Sequence, residues 1–460
     1  MTYLLVLLVA YSLSLIAVGV WISRRVRGSS EFFVGNRALG PALIFATFLA
    51  PNLGAGSTVG ATDLAYREGL SAWWWNGSAG LGSLVLAFWV GPRIWREASR
   101  LELLTVGDFL EHHYGPGFRI LSAAVIWIGT LWILCGQLNG IAAILALPAA
   151  GGLPHWLGCL IGTAVLAAYF VGGGLASAAR VNAMQLAVKL AGFALAVPLA
   201  VGLAGGWGAI QHANPERWDF WGVSGSGDGW PMLFLTAPAF FLSPGLLQKA
   251  FGARDERALR LGVGVNAAAL MAFAAMPVML GLAARTAFPD LAKDAPLPTI
   301  LSAMPLAIGG LALAAVFSAE LSAADAVLFM FSTSGARDVY RALVRPQATD
   351  AELLRAARVA ALLGGALGFA LTFVYPTVLG ALKLFYAILV VSLFAPTLGA
   401  LVRPRVGARP AFAAVAVGLA VLSAATLTTG RPGWMTPSFL GLVTSTAAFF
   451  IGSRRSAARL

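Results

Sequence analysis

Long blocks of uncharged, apolar residues run through the whole chain, and no other feature limits its fold so strongly. A helix that crosses the roughly 30 Å hydrocarbon core of a bilayer needs about 20 such residues. The strands of a membrane barrel would alternate polar with apolar side chains, and these blocks do not alternate. Charged residues make up only 11% of the sequence, against about 25% in soluble domains. The chain is therefore predicted to be an all-α integral membrane protein.

Thirteen transmembrane spans are predicted from these blocks, and together they form a single transmembrane domain over residues 1–460 with no appended soluble module. The spans cover residues 2–23, 38–65, 70–95, 118–148, 153–172, 175–204, 231–251, 260–286, 305–334, 355–375, 378–402, 410–429 and 437–453.

Basic residues are distributed unevenly between the two sides of this arrangement. With the N-terminus outside, 24 of the 31 Lys and Arg residues fall on the inner side and five in outer loops. Loops rich in Lys and Arg stay in the cytoplasm, so the N-terminus is predicted outside and the C-terminus in the cytoplasm. The net charge of +12 then reflects topology and contact with anionic membrane lipid, not nucleic-acid binding. The high content of Ala, Gly and Arg favours a bacterial inner (plasma) membrane.

The second predicted span contains residues that interrupt helices. Its segment 50–58, APNLGAGST, places Pro51 and three glycines in the middle of the span. Proline removes a backbone donor, and glycine lowers the cost of irregular backbone. Freed carbonyl groups at membrane depth are tolerated where they line a cavity, and broken helices of this kind hold solutes and ions in secondary transporters. The alternative is a continuous, tightly packed helix that contains glycine.

The charged residues inside predicted spans include Lys189, Glu320, Asp325 and Lys383. A charge at the bilayer centre costs about 2.5–3.5 kcal/mol on insertion scales, so such residues face the bundle interior, form pairs or take part in function. Lys383 is either functional or extends towards the outer interface. Glu320 either pairs with Lys189 or takes part in ion coupling.

Several segments, in this order, resemble the sodium:solute symporter family: EFFVGNRALGP (31–41), ATFLAPNLGAGSTVGATDLAYREGL (46–70), TVGDFLEHHYG (105–115), GGLASAARVNAMQ (173–185) and FYAILVVSLFAP (385–396). The resemblance implies a LeuT-like fold of two inverted five-span repeats, with broken helices in the second and seventh spans. The repeats would cover 38–204 and 231–402, with peripheral helices at 1–24 and 410–453. It also implies a solute site between the broken helices and alternating access coupled to an ion gradient.

The resemblance further implies where a sodium ion would bind. The family's usual site takes carbonyl groups that correspond to Ala50, Leu53 and Ala319, together with two adjacent hydroxyl groups. The first hydroxyl corresponds to Ser322, but the second position holds Ala323, so one ligand is missing.

Two further departures bear on the coupling ion. Asn182 stands where the family has an aspartate near the inner exit of the ion, and Lys189 adds a fixed cation to the same span. Sodium coupling, with Na⁺ as the only expected cofactor and metal, is favoured by the resemblance. The alternative is a proton-coupled or ion-independent carrier in which the Lys189 ammonium, near Glu320, replaces sodium.

Eight residues are predicted to contact the solute from their positions in the matched motifs: Asn52, Gly56, Ser57, Asn76, Thr236, Phe240, Lys383 and Tyr386. Where some sugar-carrying relatives have a glutamate, this chain has Asn76. Two intramembrane lysines favour a carboxylate or amino acid over a sugar, because an ammonium group pairs with a carboxylate.

Other classes of function receive less support from the sequence. A nucleophile elbow, an HExxH motif and a phosphate-binding loop are all missing, so no enzymatic activity is predicted. The expected partners are a small solute and membrane lipid, with no nucleic acid and no obligate protein partner. A non-transporting membrane sensor is a further alternative to the carrier.

Overall fold

The computed structural model describes residues 13–14, 34–146, 153–170, 175–222, 229–292, 294–403, 406–428 and 434–457. Within these ranges the chain forms helices and no β-strand, and Leu39 and Ala253 form an isolated parallel bridge. The predicted span at 2–23 lies outside the described residues except for positions 13–14.

The described α-helices range in length from seven to 30 residues. They are α1 (Pro41–Asn52), α2 (Ala61–Glu68), α3 (Trp73–Val85), α4 (Gly91–Arg100), α5 (Val106–Tyr114), α6 (Pro116–Leu145), α7 (His155–Phe170), α8 (Leu175–Leu203), α9 (Trp207–Ala213), α10 (Leu233–Leu242), α11 (Pro244–Phe251), α12 (Glu256–Phe273), α13 (Ala275–Ala287), α14 (Pro296–Ser302), α15 (Leu306–Ser334), α16 (Asp350–Thr372), α17 (Val378–Val402), α18 (Ala408–Leu427) and α19 (Pro437–Ala457).

Short segments of other helical types join several of these helices. The π-helical segments are Gly56–Gly60, Leu86–Val90 and Gly335–Val344, and the 3-10 turns are Gly35–Arg37, Gly69–Ala72, Pro215–Arg217 and Trp230–Met232. The π-helical segment at Gly56–Gly60 directly follows the predicted break, as is common where a helix is interrupted at a functional position.

Eight spans in the described part of the chain are long and apolar enough to cross a membrane, and a bent pair makes nine. That pair joins Pro41–Asn52 to Gly56–Arg100 with a bend of 63°. Each of the twelve predicted spans that the structure describes coincides with one helix or with helices joined by a short break. The number of thirteen membrane crossings stays a prediction.

Helix α15 forms the centre of the bundle. Of its most apolar 18-residue stretch 78% is buried, against 33% for α8 and 39% for α16. Small residues allow close packing around it, and a Cβ atom placed on Gly192 of α8 would lie 2.5 Å from the Cβ of Ala315. Leu363 and Leu367 of α16 are instead exposed, which suits a surface that faces lipid.

A buried charge cluster fixes the short helix α5 against α6 and the end of the span that contains α15. Arg119 forms ion pairs with Asp108 and Asp338, each at 2.9 Å, and Arg337 contacts Asp108 at 3.3 Å. Burial alone would raise the pKa of Asp108, but the charges of Arg337 and Arg119 outweigh it and hold that pKa below its usual 3.8. Thr105 caps α5 through a capping box with Asp108.

Candidate functional site

The break between α1 and α2 brings irregular backbone to the centre of the bundle. Leu53 leaves the helical conformation with φ −88° and ψ 47°. Gly54 follows, and a Cβ atom there would lie 2.4 Å from the Cβ of Ala323 on α15. Only glycine therefore lets the broken segment approach α15 this closely. The side chain of Gln137 on α6 accepts a hydrogen bond from the Ala55 amide at 2.9 Å and so satisfies a donor that the break has freed.

A second break separates α10 from α11 in the other half of the chain. Ser243 adopts φ −51° and ψ 122°, and Pro244 begins the next helix. Two broken helices, one in each predicted repeat, are what the resemblance implies, although the repeat boundaries stay a prediction.

A cavity lies between the two breaks, with an empty volume of about 650 Å³ that includes adjoining solvent. Five of the eight predicted solute contacts line it. These are Asn52, Gly56, Ser57, Phe240 and Tyr386. The Ser57 hydroxyl donates to the Asn52 carbonyl across the break, so both residues are held at the cavity by one local hydrogen bond.

The other three predicted contacts lie outside this lining. Asn76 is buried behind the break and donates to the Ser57 carbonyl at 3.1 Å, so it supports a lining residue. The Thr236 hydroxyl donates to the Met232 carbonyl of its own helical segment at 3.0 Å. Lys383 is on α17, but its side chain does not belong to the cavity lining.

Aromatic side chains form one wall of the cavity. The ring of Tyr386 lies 5.8 Å from that of Trp75, 5.9 Å from that of Phe240 and 5.0 Å from that of Phe385, measured between centroids. Such rings offer apolar surface together with a phenol hydroxyl. Trp75 and Phe385 had not been predicted as site residues. Phe385 lines the cavity and begins the segment 385–396 that carries the family resemblance, whereas Trp75 lies behind the lining and follows the segment 46–70.

The predicted ion position is filled by a side chain. Lys189 is fully buried, and its ammonium donates to the Ala50 carbonyl at 2.7 Å and to the Ser322 hydroxyl. The Ser322 oxygen also lies 3.1 Å from the Ala50 carbonyl oxygen and 3.0 Å from that of Ala319. Two of the four residues predicted as ion ligands, Ala50 and Ser322, thus bind the Lys189 ammonium, and the carbonyl of a third, Ala319, lies beside the Ser322 hydroxyl. The fourth is Leu53. Among the hydrogen bonds of the described residues, it takes part only through its amide, which donates to the Leu49 carbonyl.

Glu320 lies close to this position but faces the other side of the break. Its Oε1 is 2.9 Å from the Thr58 hydroxyl, and its Oε2 is buried without a hydrogen-bond partner. A Cβ atom on Gly140 would lie 2.8 Å from that Oε2, so α6 covers the carboxyl group closely. The ion pairs of the described residues do not include Lys189 with Glu320.

Polar side chains continue from Lys189 along one face of α8. Asn182 and Gln185 precede it by seven and four residues, which places all three on the same side of the helix. Both are buried, and the Asn182 Oδ1 and both polar atoms of the Gln185 side chain are without protein partners. Buried polar atoms of this kind are satisfied by water, so this face can hydrate the approach to Lys189.

Gln137 and Lys249 also line the cavity, and neither was predicted as a site residue. Lys249 falls near the end of the predicted span 231–251. The break at Ser243 starts a new helix there, and packing of that helix leaves Lys249 only 4% exposed, beside the cavity. The signal was a lysine in an apolar segment shortly after a helix break.

Comparison with known proteins agrees with this architecture. The profile of the sodium:solute symporter family matches residues 32–418. The chain belongs to the sodium:solute symporter family. A relative from Escherichia coli (strain K12), a sodium/pantothenate symporter, is 27% identical over 97% of this chain and 95% of its own length. The osmoregulated proline transporter OpuE of Bacillus subtilis (strain 168) is 23% identical over 76% of this chain and 74% of its own.

Solved structures of transporters share the fold of this family member. A Na⁺-coupled sialic acid symporter superimposes with a TM-score of 0.84 at 16% identity, covering 99% of this chain and 97% of its own. The nucleobase-cation-symport-1 family transporter Mhp1 gives a TM-score of 0.66 at 14% identity, covering 94% and 96%. The predicted all-helical membrane fold of the LeuT type is thereby confirmed, and the chain is an integral membrane transporter of the symporter class.

Proposed function

We propose that this protein is a secondary active transporter that carries a small, carboxylate-bearing solute by alternating access, with Lys189 in the position of a coupling cation. The observation that carries the proposal is the cavity between two broken helices, beside a buried ammonium that binds Ala50 and Ser322. Broken helices can close and open around a midplane site while their other halves keep packing against the bundle. We place the protein in a bacterial inner membrane, with its C-terminus in the cytoplasm.

The ion position in this structure suits an ammonium group better than a sodium ion. The Ala50 carbonyl and the Ser322 hydroxyl already bind Lys189, and Ala323 offers no oxygen. Two unit charges about 4 Å apart interact by about 4 kcal/mol at an effective dielectric constant of about 20. A sodium ion beside the charged Lys189 therefore meets a large repulsion. Loss of a proton from Lys189 would remove the fixed charge, which is how a proton gradient could act on this position.

Glu320 supplies a second group for proton coupling. The Thr58 hydroxyl lies 3.0 Å from the Gly54 carbonyl oxygen and 2.9 Å from Glu320 Oε1. A hydroxyl has one proton and cannot donate to both oxygens. If Glu320 carries a proton, it donates to Thr58, and Thr58 donates to Gly54 at the break. Release of that proton would break this chain of bonds beside the irregular backbone, so protonation and the conformation of the break are linked.

Sodium coupling is the second candidate, and family membership favours it. The relatives include sodium/proline and sodium/pantothenate symporters, and the sialic acid symporter is Na⁺-coupled. Proline, pantothenate and sialic acid all carry a carboxylate, which supports the proposed class of solute. A sodium site in this chain would have to use Glu320, water or other carbonyl groups in place of the missing hydroxyl.

Uptake into proteoliposomes separates the two candidates. The purified protein is reconstituted, and uptake of radiolabelled proline, pantothenate and sialic acid is measured under an inward sodium gradient, an inward proton gradient or neither. We expect uptake of one of these acids to follow the proton gradient and to be equal with sodium or potassium at matched pH. Uptake that requires sodium and ignores pH would support the second candidate. Failure of a preloaded internal pool to accelerate tracer entry would contradict a carrier of either kind.

A further inference from the structure

Lys249 is a buried cation at the cavity to which the proposed ion position assigns no role. Its residue is 4% exposed, it lines the cavity, and within the described part of the chain its ammonium has no hydrogen bond and no ion pair. A buried ammonium is costly unless its donors are satisfied by direct contacts. A buried lysine beside a cavity without such a contact is therefore placed to bind a group from outside the protein.

The second break explains why Lys249 reaches the cavity. Ser243 ends α10, and α11 begins beside the cavity with Pro244 and Gly245. Side chains on a helix point back towards its N-terminus, so a lysine in the second turn of α11 extends towards the break. The first amide groups of α11 have no partner within their own helix and present partial positive charge to the same space.

Asp325 balances the charge of Lys249 at a distance. It is buried on α15, one turn beyond Ser322, and it interacts electrostatically with Lys249. The described residues provide neither a hydrogen bond nor an ion pair that joins the two side chains. The pair is thus neutral overall but not in contact, which leaves the donors of the ammonium available to a bound anion.

We propose that Lys249 binds the carboxylate of the transported solute at the α11 side of the cavity, with Asp325 as the counter-charge of the empty site. This inference rests on the proposed function and names the residue that selects an acidic solute. The neighbouring side chains Leu246, Val327 and Met330 offer apolar surface to the remainder of the molecule. The solute would then extend from Lys249 towards the aromatic wall at Tyr386.

Ligand-induced thermal stabilisation of the purified full chain tests this assignment. The probes are L-proline, pantothenate and sialic acid, each compared with its methyl ester, which keeps the skeleton and removes the carboxylate charge. The variants are Lys249→Gln, Lys249→Arg and Asp325→Asn. Arg358→Gln is the control, because it removes an exposed cation from the spanning helix α16, outside the cavity lining.

We expect at least one acid to stabilise the wild type and the Arg358→Gln control. Its ester should bind at least about tenfold more weakly, because it has lost a charge-assisted contact. Lys249→Gln should lose about tenfold or more in affinity for the acid but not for the ester, Lys249→Arg should retain most of it, and Asp325→Asn should bind the acid more tightly. Equal affinity of Lys249→Gln and wild type for the acid would overturn the assignment, as would equal binding of acid and ester or no binding of any acid to the wild type.

Counterflow in proteoliposomes distinguishes failure of the Lys249 assignment from failure of the proposed carrier function. Intact counterflow in Lys249→Gln, with unchanged affinity for the acid, overturns the Lys249 assignment and leaves the carrier standing. Acid binding that depends on Lys249, in a protein that shows no counterflow, supports the assignment and overturns the carrier. If Lys249→Gln fails to fold, both assays use Lys249→Met instead. They also use Lys249→Met combined with Asp325→Asn, which removes both charges together.

Discussion

Replacing Lys189 with alanine should convert the ion position from one that rejects sodium into one that accepts it. The substitution removes the ammonium that now lies 2.7 Å from the Ala50 carbonyl oxygen and beside the Ser322 hydroxyl. The oxygens of Ala50 and Ser322 are left at the vacated space, and the Ala319 carbonyl oxygen lies 3.0 Å from the Ser322 hydroxyl. Hard cations prefer oxygen ligands of this kind.

The size of the effect follows from the charge that is removed. A sodium ion about 4 Å from the ammonium is opposed by about 4 kcal/mol at an effective dielectric constant of about 20. Each 1.4 kcal/mol is a factor of about ten in affinity. Lys189→Ala should therefore bind sodium about a thousandfold more tightly than the wild type. An ion at 100 times its dissociation constant stabilises the folded state by about 2.7 kcal/mol, which a thermal unfolding assay detects.

The assay is a thermal unfolding titration with NaCl at constant ionic strength, with choline chloride as the replacement salt. We expect no sodium-dependent stabilisation of the wild type and a saturable one in Lys189→Ala. Arg358→Ala serves as the control, since it removes an exposed cation of α16, away from the ion position, and should behave as the wild type does. Saturable stabilisation of the wild type by millimolar sodium, lost in Lys189→Ala, would refute the reasoning.

Three further predictions concern the break and its supports. Gly56→Ala places a Cβ atom 2.5 Å from a leucine side chain of α17, so it should destabilise the protein by about 1–3 kcal/mol and slow uptake. The control is Gly40→Ala, which has open space around it and should change the stability by less than about 0.5 kcal/mol. Glu320→Gln mimics the protonated acid, so it should keep the stability within about 1 kcal/mol of the wild type and abolish the pH dependence of uptake. An unchanged pH profile of uptake would argue against Glu320 as a proton carrier. Two arginines hold the pKa of Asp108 in the folded state below its usual 3.8. The stability that Asp108 contributes to the protein is therefore complete above the pKa of this group in the unfolded chain, and it is lost as the pH falls through the lower pKa of the folded state. Asp108→Asn should therefore lower the free energy of unfolding at pH 7 by about 3–5 kcal/mol and flatten the acid limb of the stability profile, and a steep acid limb in this variant would contradict the role of Asp108.

The breaks and the fold could be predicted because their signals are local. A proline and three glycines within a single apolar block indicate an interrupted helix without any knowledge of its neighbours. Asn52, Gly56 and Ser57, which belong to that block, accordingly line the cavity, and their contact with a solute stays a prediction. The long apolar blocks likewise predict spanning helices, since the thickness of the bilayer fixes their length.

The parts of the site that the sequence did not reveal depend on helix rotation and on distant packing. Thr236 lies on the predicted broken helix, but its hydroxyl turns back to its own backbone, and periodicity alone does not fix that rotation; its contact with a solute stays a prediction. Lys249 was not predicted as a site residue because the sequence does not show that α11 packs inside the bundle against α15. Gln137 satisfies the Ala55 amide across 82 positions of sequence, a contact that only the folded chain creates.

A cryo-EM map of the protein with bound solute tests the central claim most directly. We expect density for the solute between the Asn52–Ser57 segment and Ser243, with the Lys189 ammonium continuous with the Ala50 carbonyl and the Ser322 hydroxyl. An unbroken helix through Gly54, or a sodium ion bound at Ser322 with Lys189 turned away, would contradict the account.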